Sequence, residues 1–221
     1  MDDCKFCHDC GDEEEDLEHV VYHEILECIT TALDAKDPYT AGHSQRVSDM
    51  TVKICELLAM DDEEMEHIHI AAHLHDIGKI GVPDAALNKI EKLTDEEWKA
   101  IRKHPEIGSD ILSKSKHLSG LTGIVRGHHE RYDGKGYPDG LAGEEIPLGA
   151  RIIAICDSID AMTSNRCYRK AHDFPYAKAE IEKNLGTMYD PVIGRLVVER
   201  WDEVTSEVQA DATRMMQQKG I

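Results

Sequence analysis

With 221 residues, 41% hydrophobic and 31% charged, the chain has the composition of a soluble globular protein with room for one substantial core. No apolar run approaches the roughly 20 residues needed to cross a bilayer, and no signal-peptide pattern follows Met1, so the expected address is the cytoplasm. A formal charge of −19 argues against a general nucleic-acid binder and leaves any anionic substrate in need of local cations, which metals held among the 13 histidines could supply.

In chain order, residues 1–16 stand apart from any core. Cys4, Cys7 and Cys10 precede the acidic run Asp12 to Asp16 with little apolar content, the pattern of a tail or a small metal knuckle. The same stretch reads as both CxxCH and CxxCxxC. Haem attachment would require export, and an iron–sulfur or zinc site lacks an obvious fourth ligand beyond His8 or another chain's cysteine. A reactive tail is the plainer reading, and in a reducing compartment the seven cysteines are thiols or metal ligands rather than disulfides.

Across residues 17–38 the spacing predicts an amphipathic helix, with Leu17, Val21, Ile25, Cys28 and Ala32 three or four residues apart. Its stripe fits packing on its own domain or a dimer seam, and a homodimer is the preferred reading. Thr40 to Met60 repeats the pattern through Val47, Met50 and Ile54. Asp61 and Asp62 then open a helix that runs to His75. Thr94-x-x-Glu97 is a capping box, and Pro105 suits the first turn of a further helix, with His104 before it expected to be extended. Helices over Leu121 to His129, Pro147 to Ser164, Tyr176 to Leu185 and Pro191 to Trp201 surround the glycine-rich loop Asp133 to Gly143. No period-two alternation interrupts them, so the class is all-α, with one domain over 39–201 and a C-terminal helical tail over 202–221.

His75-Asp76 ends an apolar helix, where an unpaired carboxylate would be costly, so Asp76 must be paired or bound to metal. By itself the dipeptide reads better as a satisfied core histidine beside a helix-end aspartate. It has company, however: His43 follows the turn from Asp37 to Thr40, His104 precedes a proline, His128-His129 precede a loop, and Asp157 sits inside an apolar helix. Imidazole and carboxylate together suit zinc, iron, manganese or nickel, and the set raises a multi-metal site without deciding it. His69 and His73, off the His75 side of their helix, read as a solvated pair.

Five longer runs contain the candidate donors: GHSQRV at 42–47, HDIGKIGVPD at 75–84, KHPEIG at 103–108, HHERYDGKGYPDGLAGEEIPLGARI at 128–152 and DSIDAMTSNRCYRK at 157–170. On these runs the chain, from about Tyr39 to Trp201, resembles the HD-GYP phosphodiesterases, a branch of the HD-domain phosphohydrolases. The resemblance implies an HD-domain helical bundle with a buried binuclear metal site. It implies hydrolysis of cyclic di-GMP to linear pGpG, and onward to GMP, by a hydroxide that the two metals share. Position by position, His43, His75, Asp76 and Asp157 would hold one ion and Asp76, His104, His128 and His129 the other, so that Asp76 bridges. Asp76 could also accept a proton, although a bridging carboxylate is a weak base. The ions would be divalent, iron or manganese foremost, with nickel, cobalt or zinc also compatible.

On the substrate side the resemblance implies that Lys79 holds phosphate, helped by Arg166, Arg169 and Lys170. Asp160 would orient a ligand or meet the guanine edge, and Gly136-Tyr137-Pro138 would wall the pocket and set Tyr137 against a base. The plainer readings are a solvated helix-end lysine, a surface aspartate and a purely structural loop. Two departures stand out. Tyr39 occupies the place of a glutamate with which some members hold a third metal, so two are expected, and Cys167 replaces the usual proline, loosening residues 164–170. The alternatives are another cyclic dinucleotide, such as cyclic GMP-AMP, and a catalytically silent cyclic di-GMP sensor, against which the filled ligand positions speak. A cyclic dinucleotide and a second copy are the expected partners, with no nucleic acid and no membrane.

Overall fold

The computed structural model describes residues 13–37, 42–165 and 170–218, and over these the chain is helical, with no strand and two isolated bridges. Cys4, Cys7, Cys10, Tyr39, Arg166, Cys167 and Arg169 lie outside the described residues. The helices are α1 (Glu13–Lys36), α2 (His43–Leu57), α3 (Asp62–Leu74), α4 (Asp84–Leu87), α5 (Asp95–Ile101), α6 (His104–Leu112), α7 (Thr122–Gly127), α8 (Leu148–Thr163), α9 (Phe174–Lys183), α10 (Pro191–Glu199) and α11 (Trp201–Gln218).

Local chemistry sets most boundaries. Asp61 caps α3 by accepting from the Glu64 N–H, and Thr94 and Glu97 form the reciprocal capping box at α5. Asp173 and Asp190 cap α9 and α10, each followed within two residues by a proline whose missing N–H is no loss in a first turn. His104 departs from the expectation of extended backbone: it is the first residue of α6, after a helical Lys103. The steric preference of the residue before proline is overridden there by the packing of α6 and by a bond from the His104 ring to the Ile101 carbonyl.

At the centre α2 packs on α3 and on α8, burying Val47, Met50 and Ile54 against Ile68, Ala72 and Leu74 and against Ile152, Ile155 and Ile159. α11 closes the side of α2 with Trp201, Val204 and Val208, so the first half of residues 202–221 contributes to the core. α3 is sunk so deeply that His69 and His73 are 7% and 5% exposed, which corrects their reading as a solvated pair. His69 meets the Ser48 hydroxyl at 2.8 Å, and its ring lies between those of His23 and His73. α1 packs through Tyr22, Leu26, Ile29 and Leu33, while Val21 and Ile25 of the predicted stripe stay 44% and 52% exposed.

One close approach places the site. After α3 the chain tightens into a 3-10 turn, Ile77–Gly81, that lies backbone to backbone on α6. A Cβ on Gly78 would stand 1.9 Å from the His104 carbonyl oxygen and 2.5 Å from Gly108 N, so only glycine lets His75-Asp76 draw up beside His104.

Candidate metal centre

The ends of α2, α3, α6, α7 and the middle of α8 converge, and each delivers one or two donor side chains. Two groups of donor atoms form, each with its atoms within 4.8 Å of one another: His43, His75 and Asp157, and Asp76, His104, His128 and His129. Asp76 faces both. Its Oδ2 lies 3.7 Å from His43 Nε2 and 3.5 Å from His75 Nε2, while its Oδ1 lies 3.3 Å from His104 Nε2. Asp157 Oδ1 is 3.5 Å from His43 Nε2.

The proton positions test whether a cation fits. Nδ1 of His75, His104 and His128 lies 2.6, 2.8 and 2.6 Å from the carbonyls of Ala72, Ile101 and Val125. A carbonyl only accepts, so each Nδ1 carries the proton and each Nε2 presents a bare lone pair. Burial, reinforced by neighbouring imidazoles, lowers the pKa of all three rings and keeps them neutral. Yet His104 and His128, both with Nε2 bare, point Nε2 at Nε2 across 3.2 Å, and these lone pairs repel unless a cation lies between them. His43 and His75 stand Nε2 to Nε2 at the same distance. Donors about 2.1 Å from one ion sit roughly 3.0–3.4 Å apart, close to these separations. The residues fit divalent metal.

The charges agree. Burial works against the Asp76 carboxylate, but Lys79 and the surrounding imidazoles outweigh it and hold its pKa well below the usual range. Burial also opposes a charge on His43, but its bond to Asp160 and the carboxylates of Asp160, Asp157 and Asp76 prevail and raise its pKa. That is a pocket asking for positive charge. His129 is pushed down to about 3 by burial and by His104. Its ring makes no hydrogen bond among the described residues and is held by packing on His128 and Tyr137 at centroid distances of 4.1 and 4.9 Å.

The remaining predicted residues fall around this centre. Lys79 Nζ bridges Asp76 Oδ2 at 2.7 Å and Asp37 Oδ2 at 3.2 Å, so it is not a solvated helix end. Asp160 is 1% exposed, its carboxylate bonded to His43, Arg46 and Ser164, so it is not a surface residue. The Tyr137 ring stacks on that of His129, and the Arg102 guanidinium lies over the Tyr137 ring, 5.2 Å from its centroid. Gly136 packs on the Glu130–Arg131 backbone, where a Cβ would approach to 2.4 Å, and Tyr137-Pro138 is a cis peptide. Lys170 is exposed.

Four supporting residues escaped the sequence reading. Asp37 ends α1 and reaches Lys79, and Arg46 grips Asp160. Glu130 accepts from the Asp139 and Gly140 N–H groups and so holds the GYP loop, and Arg102 covers Tyr137. Asp37 before proline and Glu130 after paired histidines were the available signals.

A family model described as HD domain matches residues 27–193. The chain belongs to the HD domain family. Among similar curated proteins, the Vibrio cholerae 3'3'-cGAMP-specific phosphodiesterase 3 is 45% identical over 170 residues, 75% of this chain and 37% of that protein. The Xanthomonas campestris cyclic di-GMP phosphodiesterase response regulator RpfG is 42% identical over 76% of this chain and 45% of its own. The chain thus spans less than half the length of these two relatives. The HD domain of the Listeria monocytogenes phosphodiesterase PgpH superposes with a TM-score of 0.56, covering 82% of this chain and 97% of that one at 14% identity, and so shares the fold. No helix among the described residues is long and apolar enough to cross a membrane.

Proposed function

We propose that this HD domain is the hydrolytic unit of a cyclic dinucleotide phosphodiesterase, cutting cyclic di-GMP to pGpG and then GMP at two divalent ions, iron or manganese. The observation that carries the reading is Asp76, whose two oxygens turn to different donor groups. In it His43, His75, Asp76 and Asp157 hold one ion and Asp76, His104, His128 and His129 the other. Ions bound there would supply Lewis acidity, lowering the pKa of water and offsetting phosphate charge.

The chain's own residues do the rest. The three carbonyl-bound imidazoles keep fixed tautomers, so their donors need no rearrangement. Lys79, drawn in by Asp37 and Asp76, puts a cation beside the bridging carboxylate, where it can meet a phosphate oxygen. Arg166, Arg169 and Lys170 are assigned to the second phosphate. Tyr137 has one ring face against His129 and a guanidinium near the ring, which favours support of the site over contact with a base.

A second substrate, cyclic GMP-AMP, is favoured by the name of the 45% identical relative. A cytoplasmic address belongs to the same reading, supported by Cys28, Cys55 and Cys156 standing as free thiols. So does a homodimer through the exposed stripe of α1. The test is to load the protein with manganese or iron(II), add each dinucleotide separately, and follow linear products by chromatography. pGpG should appear before GMP. Tight binding of cyclic di-GMP with no product from either dinucleotide under either metal would leave a sensor and end the enzyme reading.

A further inference from the structure

His75, His104 and His128 share one support, a carbonyl three residues back along the chain. His43, the first residue of α2, has a different one. Its Nδ1 instead meets Asp160 Oδ2, on α8, at 2.7 Å. That carboxylate is buried, and its partners come mostly from Arg46, one turn along α2 from His43. Arg46 Nε donates to Oδ1 at 2.5 Å, and Nη2 donates to Oδ2 and to the Ser164 hydroxyl, both at 3.3 Å. The Ser164 hydroxyl closes the ring on Oδ1 at 3.2 Å.

We infer that Arg46 is a positioning residue for the centre: its fork fixes the plane of Asp160, Asp160 orients His43, and the pair thereby governs the hold on the ion at His43, His75 and Asp157. This builds on the assignment of His43 as a ligand. A carboxylate behind an imidazole makes Nε2 a stronger donor than a carbonyl does, but only while its oxygen lies in line with Nδ1–H. At the end of α8 the Ser164 hydroxyl bonds Oδ1 alone, which leaves the plane free to turn. The guanidinium sets the angle, because its two N–H groups address the two oxygens separately, whereas an ammonium would supply charge with no fixed plane. Among the described residues the other donor group has no such carboxylate behind its rings, so the dependence belongs to one side of the centre.

The test compares Arg46→Lys with His43→Ala in the full chain, using manganese alone as the probe. Binding is followed by metal analysis under chelator competition and by electron paramagnetic resonance, in which ions sharing a carboxylate couple and an isolated ion gives six lines. Arg46→Lys should weaken one ion by about 10–100-fold, the range for lost outer-sphere partners, and reproduce the His43→Ala pattern. Ser164→Ala should weaken the same ion less and guards against a folding defect in the arginine variant, with thermal unfolding recorded for both. Wild-type manganese affinity and spectrum in a folded Arg46→Lys protein would overturn the inference, as would equal weakening of every bound ion. Neither readout needs substrate. A wild type that binds manganese but cuts no cyclic dinucleotide would sink the proposed activity and leave this inference intact.

Discussion

At the scale of the residue, each donor imidazole comes with a second contact that fixes it, and the kind of contact differs. Carbonyls hold three rings, a carboxylate holds His43, and stacking holds His129. Asp76 is the position where one side chain faces both groups, so Asp76→Ala should reduce bound manganese at both and lower turnover by at least about 100-fold, checked by metal analysis beside a product assay. A variant retaining full activity would remove Asp76 from the mechanism. Gly136 packs against the Glu130 and Arg131 backbone. An alanine there would push its Cβ into Glu130 and Arg131, and the expected loss is on the order of 1–3 kcal/mol, read from denaturant unfolding. Unchanged stability would mean the loop yields without cost.

At the scale of the element, α1 has two faces at heptad spacing. Tyr22, Leu26, Ile29 and Leu33 pack inward, while Val21, Ile25, Cys28, Ala32 and Ala35 remain outward. The stripe through Val21, Ile25, Cys28 and Ala32 is the one the domain leaves uncovered, because both stripes have the same period and only tertiary packing selects between them. If that stripe pairs two copies, Cys28 of the two chains should link on mild oxidation and Ile25→Asp should shift the mass in solution to a monomer. A monomeric wild type in light scattering would exclude the seam. The inner end of α1 reaches the centre through Asp37 and Lys79. Asp37→Asn should release Lys79 and raise KM several-fold while leaving bound metal unchanged, a split that separates phosphate holding from metal holding.

At the scale of the whole molecule, burial of α3 carries a cost in acid. His69 is held neutral by burial and by His23, its pKa lowered from 6.5 to about 4. Between those values the unfolded chain binds the extra proton and the folded one does not, so stability is full above about pH 6.5 and falls as pH drops toward 4. The effect is on the order of 3 kcal/mol from this group. His69→Gln should flatten the melting-temperature profile over that window, and an unaltered profile would assign acid sensitivity elsewhere.

The sequence by itself determined the all-α class and the capped helix starts, because helix period and caps are properties of neighbours along the chain, while the candidate donor set was legible through the family resemblance that the His75-Asp76, His104 and His128-His129 runs carry. What only the tertiary structure decided lies between elements. That Asp76 turns one oxygen to each donor group, that Asp37, Arg46 and Glu130 stand behind the visible residues, that His69 and His73 are buried and that Tyr137 faces His129 all depend on separate helices meeting. The Gly78 contact that brings Asp76 to His104 is such a meeting, and no periodicity along either helix encodes the distance between their backbones.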